Sequence, residues 1–282
     1  MTGPSGTGPS GTGPSGKRRR PARAAAAALS LALAAPLLGT GLVGSGLLGI
    51  GLLTSGLLGP GARAGEAQDR LFALGALDAV ETGETLVYDY SRRGTWPGDE
   101  PARLDHGEAR LTVEPPGADG AQRARAEVRD GETVIGRFNP FPVDAGNPMF
   151  MVFMEEAVST MATLTGGSSF YIRNRMREAL ASQNAVEETT VSFDGRSVPA
   201  RVLTFQPFLN DRNANKMGPA FVDLTIRFTM SDEIPGGFAR MEAVTGPAAA
   251  APAPAGSAPE AGEPAGEPLV DMSFNLAKVE EG

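Results

Sequence analysis

Arg173, Arg175 and Arg177 recur at every second position after Tyr171, just behind the run Gly166-Gly167-Ser168-Ser169. A guanidinium fork binds a phosphate or carboxylate through two parallel N–H donors. The first N–H groups of a helix point at the same kind of anion. Together they form a candidate grip for an anion such as a phospholipid headgroup. The competing reading is a solvated helix face. Upstream, Met149, Met151 and Met154 make a thioether-rich stretch. Soft sulfur suits cuprous copper, but methionine also fills irregular gaps in cores. Core packing is preferred, so no metal is assigned. Met154 joins Tyr171, Arg173, Arg175 and Arg177 as a candidate ligand-binding residue, in case the helix walls a cleft.

Other constellations fail where they are most diagnostic. Asp211, Asn213 and Asn215 alternate as calcium-loop ligands do. Such a loop needs glycine sixth and glutamate twelfth, where this chain has Lys216 and Val222. A turn held by Asx hydrogen bonds is the better account. His106 is the single histidine, and no Gly-x-Ser-x-Gly elbow accompanies it. The chain has no cysteine, which excludes thiol nucleophiles, disulfides and a lipid-anchored cysteine. No acid, base and nucleophile converge, so no catalytic residue and no cofactor is assigned.

The elements that would position these residues are mostly strands. Alternation of apolar and polar side chains marks Leu86–Tyr90, Ala109–Val113 and Ala124–Arg129, and Val198–Phe205 is the strand that returns after the turn at Asp194-Gly195. Alternation marks Val222–Met230 and Val270–Leu276 as well, and a further strand is placed around Phe238–Val244. Asp130-Gly131 and Asp194-Gly195 are tight-turn signals for hairpins. Between the strands, Met151, Met154, Val158 and Met161 fall at helical spacing. Gly166-Gly167 ends that helix, and Ser168 or Ser169 caps a second one. The second helix turns Phe170, Ile172, Met176 and Leu180 inward. The expected fold is mainly β (α+β). It is one curved antiparallel, half-barrel-like sheet of about eight strands, wrapped on a central pair of helices.

The front of the chain is of another kind. Thr2–Gly16 repeats Thr-Gly-Pro-Ser-Gly and has nothing to bury. Lys17-Arg18-Arg19-Arg20, an apolar run over 24–58 and Ala62-Arg63-Ala64 have the order of a secretory signal. The apolar run is also long enough for a retained membrane helix. Residues 1–64 are therefore expected to be a disordered repeat plus signal peptide, and 65–282 one β-rich domain. Cleavage after Ala64 leaves 19 Lys+Arg against 33 Asp+Glu, a net charge of −14. Such a protein is repelled by nucleic acid. The tract 246–268, rich in Ala, Pro, Gly and Glu, has no large apolar residue before Pro268 and is expected to be a disordered loop.

The stretch Asn147–Leu180 resembles a segment in a group of exported alphaproteobacterial proteins of unknown function. Leu164-Thr165-Gly166-Gly167 and Phe170-Tyr171-Ile172-Arg173-Asn174-Arg175 carry the resemblance, and Pro235–Ala243 extends it more loosely. It implies export and a single domain. The group has no established activity, so no functional residue is carried over. At fold level, the expected sheet is similar to the half-barrels of periplasmic lipoprotein carriers. The expected function is a periplasmic, non-enzymatic binding or carrier protein for an apolar or lipid-like ligand or an envelope partner. The alternatives are a structural or interaction protein of the envelope, and a protein anchored in the inner membrane by residues 24–58.

Overall fold

The computed structural model describes residues 71–72, 75–94, 103–182, 184–247 and 266–282. The N-terminal repeat, the apolar run, the Ala62-Arg63-Ala64 ending and the tract 248–265 lie outside the described residues. Among the described residues there are ten strands: β1 (Thr85–Arg93), β2 (Leu104–Val113), β3 (Arg123–Asp130), β4 (Thr133–Arg137), β5 (Phe141–Pro142), β6 (Asn184–Phe193), β7 (Arg196–Phe205), β8 (Thr225–Met230), β9 (Phe238–Val244) and β10 (Asp271–Glu280). The helices are α1 (Met149–Thr165), α2 (Ser169–Ser182), α3 (Ala214–Met217) and α4 (Pro219–Val222).

All ten strands belong to one open antiparallel sheet, ordered β4-β3-β2-β1-β10-β9-β8-β7-β6, with β5 beside β3. Two meanders, β1 to β4 and β6 to β10, are joined where the first strand meets the last. Thr85–Arg93 runs against Glu280–Asp271, with a bulge at Val87/Tyr88. The chain must then pass from the β4 edge to the β6 edge, and α1 and α2 make that passage. A helix rises ~1.5 Å per residue, so the 17 residues of α1 alone cover ~26 Å. The crossing is what brings a helical layer over the sheet.

The local signals explain the joints. Phe193 pairs with Arg196 across Asp194-Gly195, whose φ values of 49° and 71° fit a primed two-residue hairpin turn. Gly166 ends α1 in the left-handed conformation, φ 62° and ψ 15°. Ser168 Oγ accepts the N–H of Tyr171 at 3.5 Å, a long cap for α2. The β9–β10 connection is clamped at its base. Leu269 N–H donates to the Gly246 carbonyl at 3.0 Å, and Pro247 bridges to Pro268. The two ends of the alanine–proline tract thus continue the ladder, and the expected loop boundaries move inward.

The strand at Val222–Met230 starts later than its alternation implies. Pro219 opens the short helix α4, and the sheet takes over at Thr225. Leu224 is nevertheless buried in the core. The phase of α1 also differs from the methionine spacing. Its buried residues are Met149, Phe150, Val152, Phe153, Ala157, Val158, Thr160 and Met161. Met154 is half-buried, and Met151 is exposed. Phe153, fully buried, meets Phe228 of β8 and Phe274 of β10 edge-on, with centroids 5.8 and 5.3 Å apart. Phe150 meets Phe228 in the same way at 5.3 Å. The rings bury more area than the methionines and set the rotation of the helix. On α2, Ile172, Met176, Ala179 and Leu180 face inward. Phe170, expected inward, is 70% exposed at the helix start.

Candidate functional site

The arginine face of α2 is answered from within the chain. The Arg173 guanidinium donates to both carboxylate oxygens of Glu155 on α1, at 2.8 Å each from Nη2. Arg175 Nη1 reaches Glu178 at 2.6 Å, and its Nε lies 2.6 Å from Asp211. Arg177 is exposed, and its Nη2 donates to Asn174 at 2.7 Å. An incoming anion would have to displace carboxylates from the first two. The side chains therefore act as fasteners: Arg173 binds α2 to α1, and Arg175 binds α2 to the loop between β7 and β8.

Tyr171 takes part in the second of these joints. Its hydroxyl lies 2.7 and 2.8 Å from the two oxygens of Asp211, and Asn213 Nδ2 donates back to it at 2.9 Å. The Asn213 backbone N–H donates to Asp211 Oδ1 at 2.7 Å, closing an Asx turn where the sequence showed a partial calcium pattern. Burial pushes the Asp211 carboxyl up. The Tyr171 hydrogen bond, the Asn213 N–H and the Arg175 charge outweigh it and hold its pKa below the usual carboxylate range. Met154 directly precedes Glu155 in α1 and packs against the edge of the core.

Two polar clusters were not singled out in the sequence. Glu156 of α1 accepts the Tyr90 hydroxyl at 3.0 Å, and Arg92 Nη1 donates to the same tyrosine oxygen at 3.1 Å. The Arg92 and Glu156 charges are 3.6 Å apart at their nearest atoms. Burial pushes the Glu156 carboxyl up, against the opposing pull of Tyr90 and Arg92. Burial and the Glu156 charge push the Tyr90 phenol up as well, so it stays protonated and donates. Separately, Asn147 Nδ2 donates to the Gly236 carbonyl at 2.7 Å, and Asn147 Oδ1 accepts the Met149 N–H at 2.9 Å. The first cluster rivets α1 to β1. The second fixes the entry of α1 against the β8–β9 turn. Strand alternation would have placed Tyr90 and Arg92 on one face, but nothing local pairs them with a glutamate about 65 residues on.

Buried side chains of α1 and of the strands meet at the helix–sheet interface. Beneath Ala157, Thr160 and Met161 a space of about 10 Å³ remains, the scale of one water. A larger recess of about 240 Å³ opens on the surface beside β6, with Glu188, Arg201 and Glu233 among its lining residues. His106 is exposed on β2, and its neighbour Asp105 already takes Arg93 and Arg103 at 3.0 and 2.7 Å. Met149 is buried while Met151 is exposed, so their sulfurs do not converge. Among the described residues, no three His, Asp or Glu side chains stand together as a metal site. Among the described residues, no helix is long and apolar enough to cross a membrane. Comparison with family models and with curated proteins finds no match to this chain.

Proposed function

We propose that this chain is an exported, non-enzymatic interaction protein of the cell envelope, which meets its partner through its surface and not through an enclosed ligand site. The observation that carries this is the packed contact between α1 and the sheet. A lipid-like cargo needs a pocket of several hundred Å³, and the space under α1 holds about 10 Å³. Buried titratable groups are engaged within the chain: Glu156 with Tyr90, Asp211 with Tyr171 and Arg175, and Tyr88 with Asn147. The basic, apolar leader with its Ala62-Arg63-Ala64 ending supports export. The resemblance of Asn147–Leu180 to exported proteins supports the same compartment.

Native mass spectrometry of the protein taken from the envelope of its host tests this. The expected result is a chain starting near Gly65 with no small molecule attached, together with a stoichiometric protein complex. A lipid-sized adduct at one copy per chain would overturn it in favour of a carrier. A full-length species extracted only with detergent would overturn removal of the leader in favour of a membrane anchor.

A further inference from the structure

The two ends of the sheet are built differently. β4 has five residues, carries a bulge at Ile135 opposite Val128/Arg129 of β3, and leads to Pro140 and Pro142. Short length, a bulge and nearby proline are the devices that stop an edge from pairing with another chain. β6 has none of them. Its ten residues pair with β7 from Asn184 to Phe193 without a register shift, a length of roughly 33 Å. β6 contains no proline and no lysine. Among the described residues β7 is its one sheet neighbour. Ala185, Glu187, Glu188, Thr189, Thr190 and Ser192 are exposed. In an antiparallel pair, alternate residues turn N–H and C=O away from the partner strand. Half of β6 therefore offers its backbone to whatever lies alongside.

We infer that β6 is a docking edge that takes up an extended, basic strand of a partner protein as the next strand of the sheet. This rests on the interaction-protein reading above and names its surface and its partner chemistry. Charge selects the occupant. Glu187 and Glu188 are consecutive, so their carboxylates stand on opposite faces of the sheet. Across the ladder Glu187 stands opposite Val202 and Glu188 opposite Arg201 of β7, and both glutamates are exposed. A docked strand with two consecutive lysines or arginines places one cation on each face, opposite or diagonal to a carboxylate. On the Glu188 face the recess of about 240 Å³ sets Glu188, Asp232 and Glu233 against the single cation Arg201, an acidic excess with room for one further long basic side chain.

The test uses the full chain and fluorescence anisotropy of a labelled ten-residue peptide, alternating threonine and valine with Lys-Lys at its centre. Two further copies are N-methylated on alternate amides, one on each set. A last copy has Glu-Glu at the centre. Strand addition requires the Lys-Lys peptide to bind saturably, one methylated copy to lose binding and the other to keep it. The Glu-Glu peptide binds about tenfold more weakly or worse. The protein variant Glu187→Lys/Glu188→Lys reverses that preference, with an unchanged thermal melt. Absence of saturable binding, or indifference to which set is methylated, overturns the docking edge. An unreversed charge preference overturns the basic partner. If sedimentation shows the free chain dimerising through β6, the occupant is a second copy and the proposal is overturned. A native complex that the Lys-Lys peptide fails to displace sinks the edge alone. A bound lipid sinks the interaction reading itself.

Discussion

Phe153→Ala measures how tightly the helical layer is seated. The ring is fully buried and lies edge-on to Phe228 and Phe274 at 5.8 and 5.3 Å. Truncating a buried phenylalanine costs about 3–5 kcal/mol, the lost transfer energy plus the cavity left behind. Part of that is the two ring contacts, at about 0.5–1.5 kcal/mol each. Small domains have about 5–15 kcal/mol in all, so the variant loses a large share. In a domain of about 200 residues each kcal/mol moves Tm by about 2–4 °C, so a fall of about 6–20 °C is expected. Far-UV circular dichroism melts and urea titrations measure it, with Phe153→Leu as a milder companion. A cost below about 1 kcal/mol would refute the reasoning. It would mean that the interface collapses or breathes easily, that α1 can lift from the sheet, and that a cleft for a ligand can open after all.

Met154→Ala is expected to cost about 1 kcal/mol and Met161→Ala about 2–5 kcal/mol, because the first is half-buried and the second 3% exposed; equal costs in urea titrations would show the helix rotated from its described phase. The pH dependence of stability has two opposed contributors. Asp211, held below the usual carboxylate range, stabilises the fold above about pH 4 and loses that contribution as pH falls through its folded pKa. Glu156, pushed above that range, has the opposite sign: protonation as pH falls relieves a buried charge. Asp211→Asn should therefore flatten the acid loss of stability and Glu156→Gln should steepen it, measured by melts from pH 3 to 7; shifts in the same direction would refute the assignment. Replacing residues 248–265 by a short glycine–serine linker should change stability by about 1 kcal/mol or less. Halving a loop changes its closure term by only about 0.6 kcal/mol, and Pro247 and Pro268 already bridge its base. A Tm change of more than a few degrees would show that the tract contributes packing.

Hairpin joints and strand faces were legible in the sequence because they are local. Asp194-Gly195 carries its own backbone geometry, and alternation places Leu111, Ala126 and Phe228 inward without knowledge of their neighbours. The pairing of β1 with β10 was not legible, since about 180 residues separate Tyr90 from Phe274 and no periodicity links them. The phase of α1 failed for a related reason. Methionines and phenylalanines both sit at helical spacing in that segment. Which stripe turns inward is decided by Phe228 and Phe274, which arrive from strands far along the chain. The arginines of α2 were recognised as a cluster, but Glu155 and Asp211, which neutralise two of them, come from other elements. Sequence adjacency shows a charge, and only the fold shows what it faces.

The same two glutamates that favour a basic strand at β6 oppose pairing with a second copy. Two identical antiparallel strands related by a two-fold axis must set some residue opposite its own copy, because directly opposed side chains share a face. Centring the ten-residue strand puts that axis at Glu188 or at Thr189. In the first case the two Glu188 carboxylates face each other. In the second, each Glu188 stands opposite Thr190 of the copy, and the two Glu188 carboxylates are diagonal neighbours. Both arrangements crowd like charges along the most intimate part of the contact, and like charges directly opposed in a sheet are destabilising. Sliding far enough to separate them leaves a contact shorter than the strand. The edge can thus keep its backbone groups open in a chain rich in long-range strand pairing, which exposes edges while it folds. Its charge discourages copies of itself and admits a strand of opposite sign.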